Sequence, residues 1–141
     1  MNWRCGAGVM AVALWVGGTV ATDERAIQFP DVPGFRTGGG DLHTHSVFSD
    51  GSVWPDIRVD EASRDGLDLI AITEHLEYQP HADDIPHPDR NRSFELATGY
   101  VDRQQIDLLV VNGAEITRDM PPGHVNAVFL TDANPLRTNI V

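Results

Sequence analysis

The chain has 141 residues, about the length of one domain with its own core. It carries 21 acidic residues against 10 basic ones, and the net charge of -11 argues against nucleic acid as a partner, because a nucleic-acid backbone needs a basic surface. All ten basic residues are arginines, so the chain offers no lysine for a Schiff base, a phosphate loop or a carbamylated bridge between two metal ions.

Residues 1–21 are predicted to be a secretory signal peptide. Arg4 is the only charge before Asp23, and the 13 residues 8–20 are apolar or small. A run of this length is too short to span a bilayer core of roughly 30 Å, but it suits an export signal. We therefore expect a periplasmic or secreted protein without a stable membrane anchor. The alternatives are a mis-assigned start codon and a buried N-terminal helix.

The first predicted elements follow a linker. Residues 22–40 are polar and interrupted by prolines and glycines, which is typical of an extended linker. A strand is expected at residues 41–46, and then a helix that opens at Pro55 and stops at Gly66. The apolar run 67–73 has the composition of a buried parallel strand.

The second half of the chain continues the alternation. A proline-rich loop is predicted at residues 78–92, and its basic and imidazole side chains are expected to be solvated: His81, His87, Arg90 and Arg92. A second helix is expected from about Ser93, a third strand at 108–115 and a fourth at 125–130. This order indicates an α/β domain with parallel strands and outer helices, forming part of a barrel that is not closed.

Side chains that can bind metal ions fall at the ends of these predicted strands, where barrel enzymes keep their sites. The candidates are His43, His45, Asp50, His75, Glu115 and His124. His43 and His45 are two residues apart on a strand, so they face the same side. Glu115 is flanked by apolar residues and would be costly to bury without a cation. Singly, each candidate has an ordinary structural role available, but together they favour a shared metal centre.

Five motifs carry a resemblance, in this order: Asp41-Leu42-His43-Thr44-His45-Ser46, Ser49-Asp50-Gly51, Ile72-Thr73-Glu74-His75, Gly113-Ala114-Glu115-Ile116 and Gly123-His124-Val125-Asn126. They resemble the ordered motifs of the polymerase-and-histidinol-phosphatase (PHP) family over about residues 41–131, and exported bacterial PHP-type phosphodiesterases look most similar. The resemblance implies a distorted (β/α)7 barrel. Residues 41–141 would be the N-terminal portion of that metal-dependent hydrolase domain.

The resemblance also implies a site with up to three divalent metal ions. By this resemblance His43 and His45 bind one ion, and Glu115 bridges it to a second ion that His124 helps to bind. Asp50 and His75 would bind the third ion, and these two residues and Glu115 would take part in catalysis. Mixed imidazole and carboxylate ligands suit zinc, manganese or iron.

Two departures from the family pattern bear on these expectations. The family usually has aspartate where this chain has Glu74. Glu74 is expected to support His75 rather than to bind metal itself. The family's remaining ligands, a further histidine and a late Asp-x-His pair, have no counterpart after His124. The chain is therefore expected to be truncated at its C-terminus.

The expected function is that of a metal-dependent phosphoesterase. Its partner would be a small-molecule phosphate ester, and the resemblance favours a diester over a monoester, cleaved by metal-activated hydroxide. Arg118, three residues after Glu115, is expected to clamp a phosphate oxygen with its planar guanidinium. The alternatives are an amidohydrolase-type metal hydrolase, which usually needs a bridging lysine, and an inactive truncated metal-binding fragment. The oligomeric state is left open.

Overall fold

A computed structural model describes residues 29–138, so the predicted signal peptide and the first part of the predicted linker lie outside the described residues. The elements in chain order are β1 (Gly40–Thr44), α1 (Pro55–Arg64), β2 (Leu69–Ile72), α2 (Arg92–Gln104), β3 (Leu109–Ile116), β4 (Val125–Val128) and α3 (Asn134–Thr138). Among the described helices, none has the length and apolar character needed to cross a membrane.

The four strands form one curled, partly closed sheet in the order β1-β2-β3-β4. β1 pairs with β2, and β2 with β3, in parallel, as predicted. β4 pairs with β3 in the antiparallel direction, with Glu115 opposite Asn126. The prediction that all strands are parallel is therefore wrong for β4. The connection at residues 117–124 is shorter than the dozen or more residues that a parallel crossover requires, so the chain reverses direction instead.

Helix α1 begins and ends where its sequence predicts. Pro55 occupies the first turn, where its missing N–H leaves no hydrogen bond unmade. Asp56 in the first turn and Arg64 in the last complement the helix dipole. After the helix, Gly66 adopts a φ of 74°, a left-handed conformation that glycine tolerates better than other residues, and the chain turns into β2.

The main hydrophobic core lies between the two long helices and the sheet. Its buried members are Val59, Ala62, Ile70, Ile72, Ala97 and Leu108. Burying a large aliphatic side chain contributes about 1.5–3 kcal/mol, so this layer fixes α1 and α2 against β2. A second cluster of Leu76, Ala114 and Ala133 packs just beyond the end of β2. The two clusters hold β2 and β3 in place on both sides of the point where the candidate ligands emerge.

The loop at residues 78–92 is irregular, as predicted, but His87 is not solvated. The residue is 8% exposed, and its ring packs edge-on against Phe48, with ring centroids 4.9 Å apart. The end of the loop is fixed to the sheet by Asn91, whose side-chain oxygen accepts hydrogen bonds from Asn112 Nδ2 and from the backbone N–H of Ala133, each 2.9 Å long. These contacts join residues far apart in the sequence, which explains why local composition did not reveal them.

Candidate metal centre

The candidate ligands emerge where the three parallel strands end. His43 lies in β1, His45 follows β1 directly, His75 lies three residues beyond β2, and Glu115 lies near the end of β3. His75 and Glu115 form a parallel bridge, and the N–H of Leu76 donates to the Glu115 carbonyl at 3.0 Å. The main chain therefore sets the position of Glu115 relative to His75.

The sequence predicted that His43 and His45 both lie on one strand, but β1 ends one residue before His45. The strand stops at Thr44, and a register irregularity separates Asp41 from Thr44. The two imidazoles still converge, with ring centroids 4.8 Å apart. Their shared orientation therefore comes from the turn after the strand as well as from strand alternation.

His43, His45 and Glu115 form the first group of facing donor atoms. The Glu115 Oε2 atom lies 2.9 Å from His43 Nε2 and 3.0 Å from His45 Nε2. The two histidine Nε2 atoms are 2.8 Å apart. Two imidazole nitrogens and one carboxylate oxygen pointing at one another form a donor set that a divalent cation of the zinc type accepts.

His45, Asp50 and His75 form the second group. Asp50 lies between the two histidines: its Oδ1 is 3.4 Å from His45 Nδ1 and its Oδ2 is 3.4 Å from His75 Nε2. The two imidazole centroids are 4.5 Å apart. His45 thus contacts this group through Nδ1 and the first group through Nε2.

His75, Glu115 and His124 form the third group. His124 Nδ1 is hydrogen-bonded to Glu115 Oε1, and His75 Nδ1 lies 3.5 Å from Glu115 Oε2. In each of the three groups, all ligand atoms lie within 4.8 Å of one another. The structure therefore brings together all six candidate ligands, while the division of these residues among particular ions stays a prediction.

Glu115 is the centre of this arrangement, and its side chain is only 2% exposed. Burial by itself raises the pKa of this carboxyl group. The hydrogen bond from His43, the charge of His75 and the hydrogen bond from His124 outweigh burial, so the pKa lies below its ordinary value. A buried, ionised carboxylate surrounded by imidazoles alone fits divalent cations, because a cation compensates the charge that burial makes costly.

Burial also shifts His45, in a direction that suits metal binding. Desolvation lowers the pKa of its imidazole, and the charge of His75 lowers it further, against the opposing effects of Asp50, Glu115 and Glu74. A histidine must be neutral to bind a metal ion. The lowered pKa keeps the His45 ring neutral to a lower pH than that of an ordinary histidine.

Three residues that support His75 were missed at the sequence level. Thr117 Oγ1 lies 2.6 Å from His75 Nδ1, and Gln79 Nε2 donates to the His75 carbonyl at 3.0 Å. Glu77 holds Thr117 in turn by accepting its backbone N–H at 2.9 Å. The position of Thr117, two residues after Glu115 and hence on the same side of an extended chain, is the one signal that could have indicated it.

Glu74 was expected to support His75, and its contacts lie elsewhere. Its side chain, in a residue 7% exposed, accepts hydrogen bonds from Ser46 and Ser49, in the turn that follows β1. No contact between the Glu74 carboxylate and the His75 ring occurs among the described residues. The expectation that Glu74 does not bind metal agrees with this geometry, because both of its oxygens face serine donors.

Arg118, the predicted phosphate clamp, lies in the connection between β3 and β4 together with His124. Its Nη1 atom is 3.9 Å from Glu77 Oε1, in a partly exposed pair. An ion pair this long and this accessible to water contributes little, so the guanidinium can leave Glu77 at small cost. Its role toward a substrate stays a prediction.

Comparison with known proteins agrees with this geometry. The PHP domain family matches residues 41–137. A solved two-domain protein from Bacteroides vulgatus, described as containing a predicted PHP-like metal-dependent phosphoesterase, is 54% identical with a TM-score of 0.74. That match covers 80% of this chain and 32% of the other. A solved amidohydrolase from Chromobacterium violaceum is 22% identical with a TM-score of 0.51, over 71% of this chain and 31% of the other, and shows similarity of fold alone.

The chain spans about a third of the length of these solved proteins. No curated protein matches it.

Proposed function

Because this chain belongs to the PHP family, we propose that its metal centre hydrolyses phosphate esters, and small phosphodiesters in particular. The observation that carries the proposal is the buried Glu115 carboxylate with three histidines around it. His43 and His45 lie within 3.0 Å of its Oε2 atom, and His124 is hydrogen-bonded to its Oε1 atom. The description of the Bacteroides vulgatus protein as a PHP-like metal-dependent phosphoesterase supports the reaction class. The preference for a diester rests on the resemblance to exported PHP-type phosphodiesterases.

We propose that the three groups hold up to three divalent ions, of zinc, manganese or iron. His43, His45 and Glu115 would hold one ion, His124 would join Glu115 at a second, and Asp50 and His75 would hold a third. When bound, such divalent ions would lower the pKa of a water molecule and neutralise charge on a phosphoryl group. Glu115, His75 and Asp50 are the residues we assign to catalysis. Glu115 and His75 each belong to two of the three groups, and Asp50 lies between His45 and His75.

Exposure divides the ligands into an inner and an outer set, which suits a substrate arriving from solvent. Glu115 and His75 are buried, while the side chains of His43, Asp50 and His124 are 50%, 40% and 55% exposed. The inner pair fixes the geometry of the site. A phosphate group would approach the outer set, where Arg118 would bind a nonbridging oxygen with its planar guanidinium.

We propose export to the periplasm or beyond, on the strength of the predicted signal peptide at residues 1–21. Small phosphate esters and metal ions would then reach the site from outside the cytoplasm. The net charge of -11 favours small substrates over long anionic polymers.

Hydrolysis of paired substrates tests this proposal. The full chain, loaded with zinc, manganese or iron, is assayed with a bis-aryl phosphate, the matching mono-aryl phosphate and an N-acyl amino acid. We expect turnover of the diester above that of the monoester, and loss of both activities in Glu115→Gln. Turnover of the monoester alone would overturn the diester preference, and turnover of the amide alone would favour an amidohydrolase. Glu95→Gln, on the exposed surface of α2, is the matched control.

A further inference from the structure

We propose that Tyr78 determines substrate specificity at the candidate metal centre, by stacking against an aromatic ring in the organic part of the ester. The substrate class is then a phosphodiester with a planar aromatic or heterocyclic substituent. The inference rests on the proposed function and deepens it, since it concerns the organic groups on a phosphate bound there. It assigns a function to an exposed aromatic side chain that the three ligand groups do not use.

Tyr78 lies directly against the candidate ligands. Its ring meets the ring of His75 edge to face, with centroids 5.8 Å apart and planes at 76°. The centroid of the His75 ring is in turn 4.5 Å from that of His45 and 5.5 Å from that of His124. Since His75 lies among the ligands, an ester bound to this centre brings one of its organic substituents close to Tyr78.

The main chain on both sides of Tyr78 is held at the metal centre, although the ring itself is exposed. Gln79 Nε2 donates to the carbonyl of His75 at 3.0 Å. On the other side, the Glu77 carboxylate accepts the backbone N–H of Thr117 at 2.9 Å. A side chain whose neighbours are fixed before the ligand arrives loses less conformational freedom on binding, so more of its contact energy remains as affinity.

The face of the Tyr78 ring is available to a ligand. The residue is 54% exposed and belongs to neither of the two hydrophobic clusters. The ring contact that it makes within residues 29–138 is the edge-to-face contact with His75. Aromatic rings associate by offset stacking or edge to face, so an exposed tyrosine ring beside a phosphate site selects for a second aromatic ring.

Met120 provides a further apolar surface at this end of the strands. It is 82% exposed, and its Sδ atom lies where a Cβ on Gly123 would be, so its side chain lies over the residue that directly precedes His124. Tyr78 and Met120 are therefore each next to an imidazole of the third ligand group. Methionine sulfur also makes favourable contacts with aromatic rings, so both surfaces favour an aromatic substituent over a strongly hydrated one.

The binding of two phosphonates tests the inference without turnover. Phenylphosphonate and methylphosphonate carry the same anionic group and differ in their organic substituent. Isothermal titration calorimetry on the zinc-loaded full chain gives both dissociation constants for wild type, Tyr78→Phe, Tyr78→Ala and Phe35→Ala. Phe35→Ala is the matched control, because Phe35 is an exposed aromatic residue before β1 and belongs to none of the three ligand groups. Zinc affinity and circular dichroism are recorded for each protein.

We expect wild type to bind phenylphosphonate about 3–10-fold more tightly than methylphosphonate. Tyr78→Phe and Phe35→Ala should keep this ratio, because both keep an aromatic ring at position 78, and Tyr78→Ala should lower it to about one. A wild type without the preference, a Tyr78→Ala protein that keeps it, or a Tyr78→Phe protein that loses it would overturn the inference. Should Tyr78→Ala unfold, Tyr78→Leu removes the ring at nearly constant apolar volume and decides in its place.

Turnover separates this inference from the proposed function. Methyl para-nitrophenyl phosphate and phenyl para-nitrophenyl phosphate share a leaving group, so they differ in the retained substituent. We expect a higher kcat/KM for the phenyl diester in wild type, and loss of that advantage in Tyr78→Ala. Equal kcat/KM values in wild type would overturn the inference and leave phosphodiester hydrolysis intact. Failure of wild type to hydrolyse either diester would count against the proposed function, and the phosphonate ratio would still decide the role of Tyr78.

Discussion

His124 reaches the Glu115 carboxylate only because β4 runs antiparallel to β3. His124 directly precedes β4, Glu115 lies near the end of β3, and the hydrogen bond between them spans nine residues of sequence. In an antiparallel pair the start of one strand lies beside the end of the other. If β4 were parallel to β3, His124 would lie at the opposite end of the strands, away from every other candidate ligand.

The exposed position of His124 leads to a first prediction. His124→Ala should weaken metal binding by at least about 10-fold, since even the loss of an outer partner of a ligand costs that much. Folding should be nearly unaffected, because the side chain is 55% exposed. Metal content after dialysis and a thermal melt measure the two effects. His81→Ala is the control, because His81 belongs to none of the three ligand groups. Equal metal content in both variants would remove His124 from the site.

Acid should destabilise the metal-free protein in two successive steps, which is the second prediction. The pKa of His45 lies below 6.5 in the folded protein, so the unfolded chain takes up a proton first and stability falls as the pH drops below about 6.5. The pKa of Glu115 lies below 4.5 in the folded protein, so its stabilising effect is present above that pH and is lost as the pH falls through the folded value. Melting temperatures of chelator-treated protein across this range provide the measurement.

The two steps can be separated by substitution. His45→Gln should flatten the part of the profile just below pH 6.5, and Glu115→Gln should flatten the part below pH 4.5. A His45→Gln profile that still falls as steeply just below pH 6.5 as the wild type would contradict the assignment of the upper step to His45.

Glycine at position 51 is required by a close approach to the first metal ligands, which yields the third prediction. A Cβ atom on Gly51 would lie 2.6 Å from the backbone C and O of His45 and 2.7 Å from the Ser46 Cα. Backbone atoms at such distances must move, so Gly51→Ala should destabilise the protein by about 1–3 kcal/mol. It should also weaken metal binding, because the shift occurs at His45.

Gly99 provides a control, because its replacement by alanine is expected to change the stability in the opposite direction. It lies inside α2, and a Cβ there would meet only the flexible tip of Arg103, at 3.2 Å. Gly99→Ala should stabilise the protein by about 0.5–1 kcal/mol, since alanine is the better helix former. Chemical denaturation measures both variants. A Gly51→Ala protein as stable as the wild type would mean that the turn after β1 is free to relax.

The sequence predicted those parts of the site that depend on local pattern. Apolar runs located β2 and β3, proline and glycine bounded α1, and strand ends located His75 and Glu115. The direction of β4 could not be obtained in this way, because alternation along a strand is the same for parallel and antiparallel pairing. Loop length contained the answer: the connection before β4 is too short for a crossover.

The supporting contacts were beyond the sequence for a different physical reason. Ser49, Thr117 and Asn91 act through partners 21 to 42 residues away, and a serine, threonine or asparagine in a turn has ordinary local uses. Nothing in their neighbourhoods distinguishes them until the strands are paired. The contacts of Glu74 illustrate this, since its neighbour in sequence is His75 but its hydrogen-bond partners are Ser46 and Ser49.

Thr117 and Thr98 form a contrasting pair for the fourth prediction. The Thr117 hydroxyl lies 2.6 Å from His75 Nδ1, whereas the buried Thr98 hydroxyl in α2 has no hydrogen-bond partner within residues 29–138. Thr117→Val leaves a ring nitrogen of His75 without its hydroxyl partner, and should lower metal affinity about 10–100-fold. Thr98→Val removes an unsatisfied buried hydroxyl at almost constant volume, so stability should stay the same or rise.

Zinc titration and chemical denaturation of both valine variants separate the two effects. Thr117→Val should lower metal affinity more than it lowers stability. Thr117 is only partly buried, and its backbone N–H still donates to Glu77 in the variant. Thr98→Val should leave metal affinity unchanged, since α2 contributes no candidate ligand. Equal zinc affinity in Thr117→Val and wild type would show that the ring of His75 is oriented by its strand position alone, through the backbone bridge to Glu115.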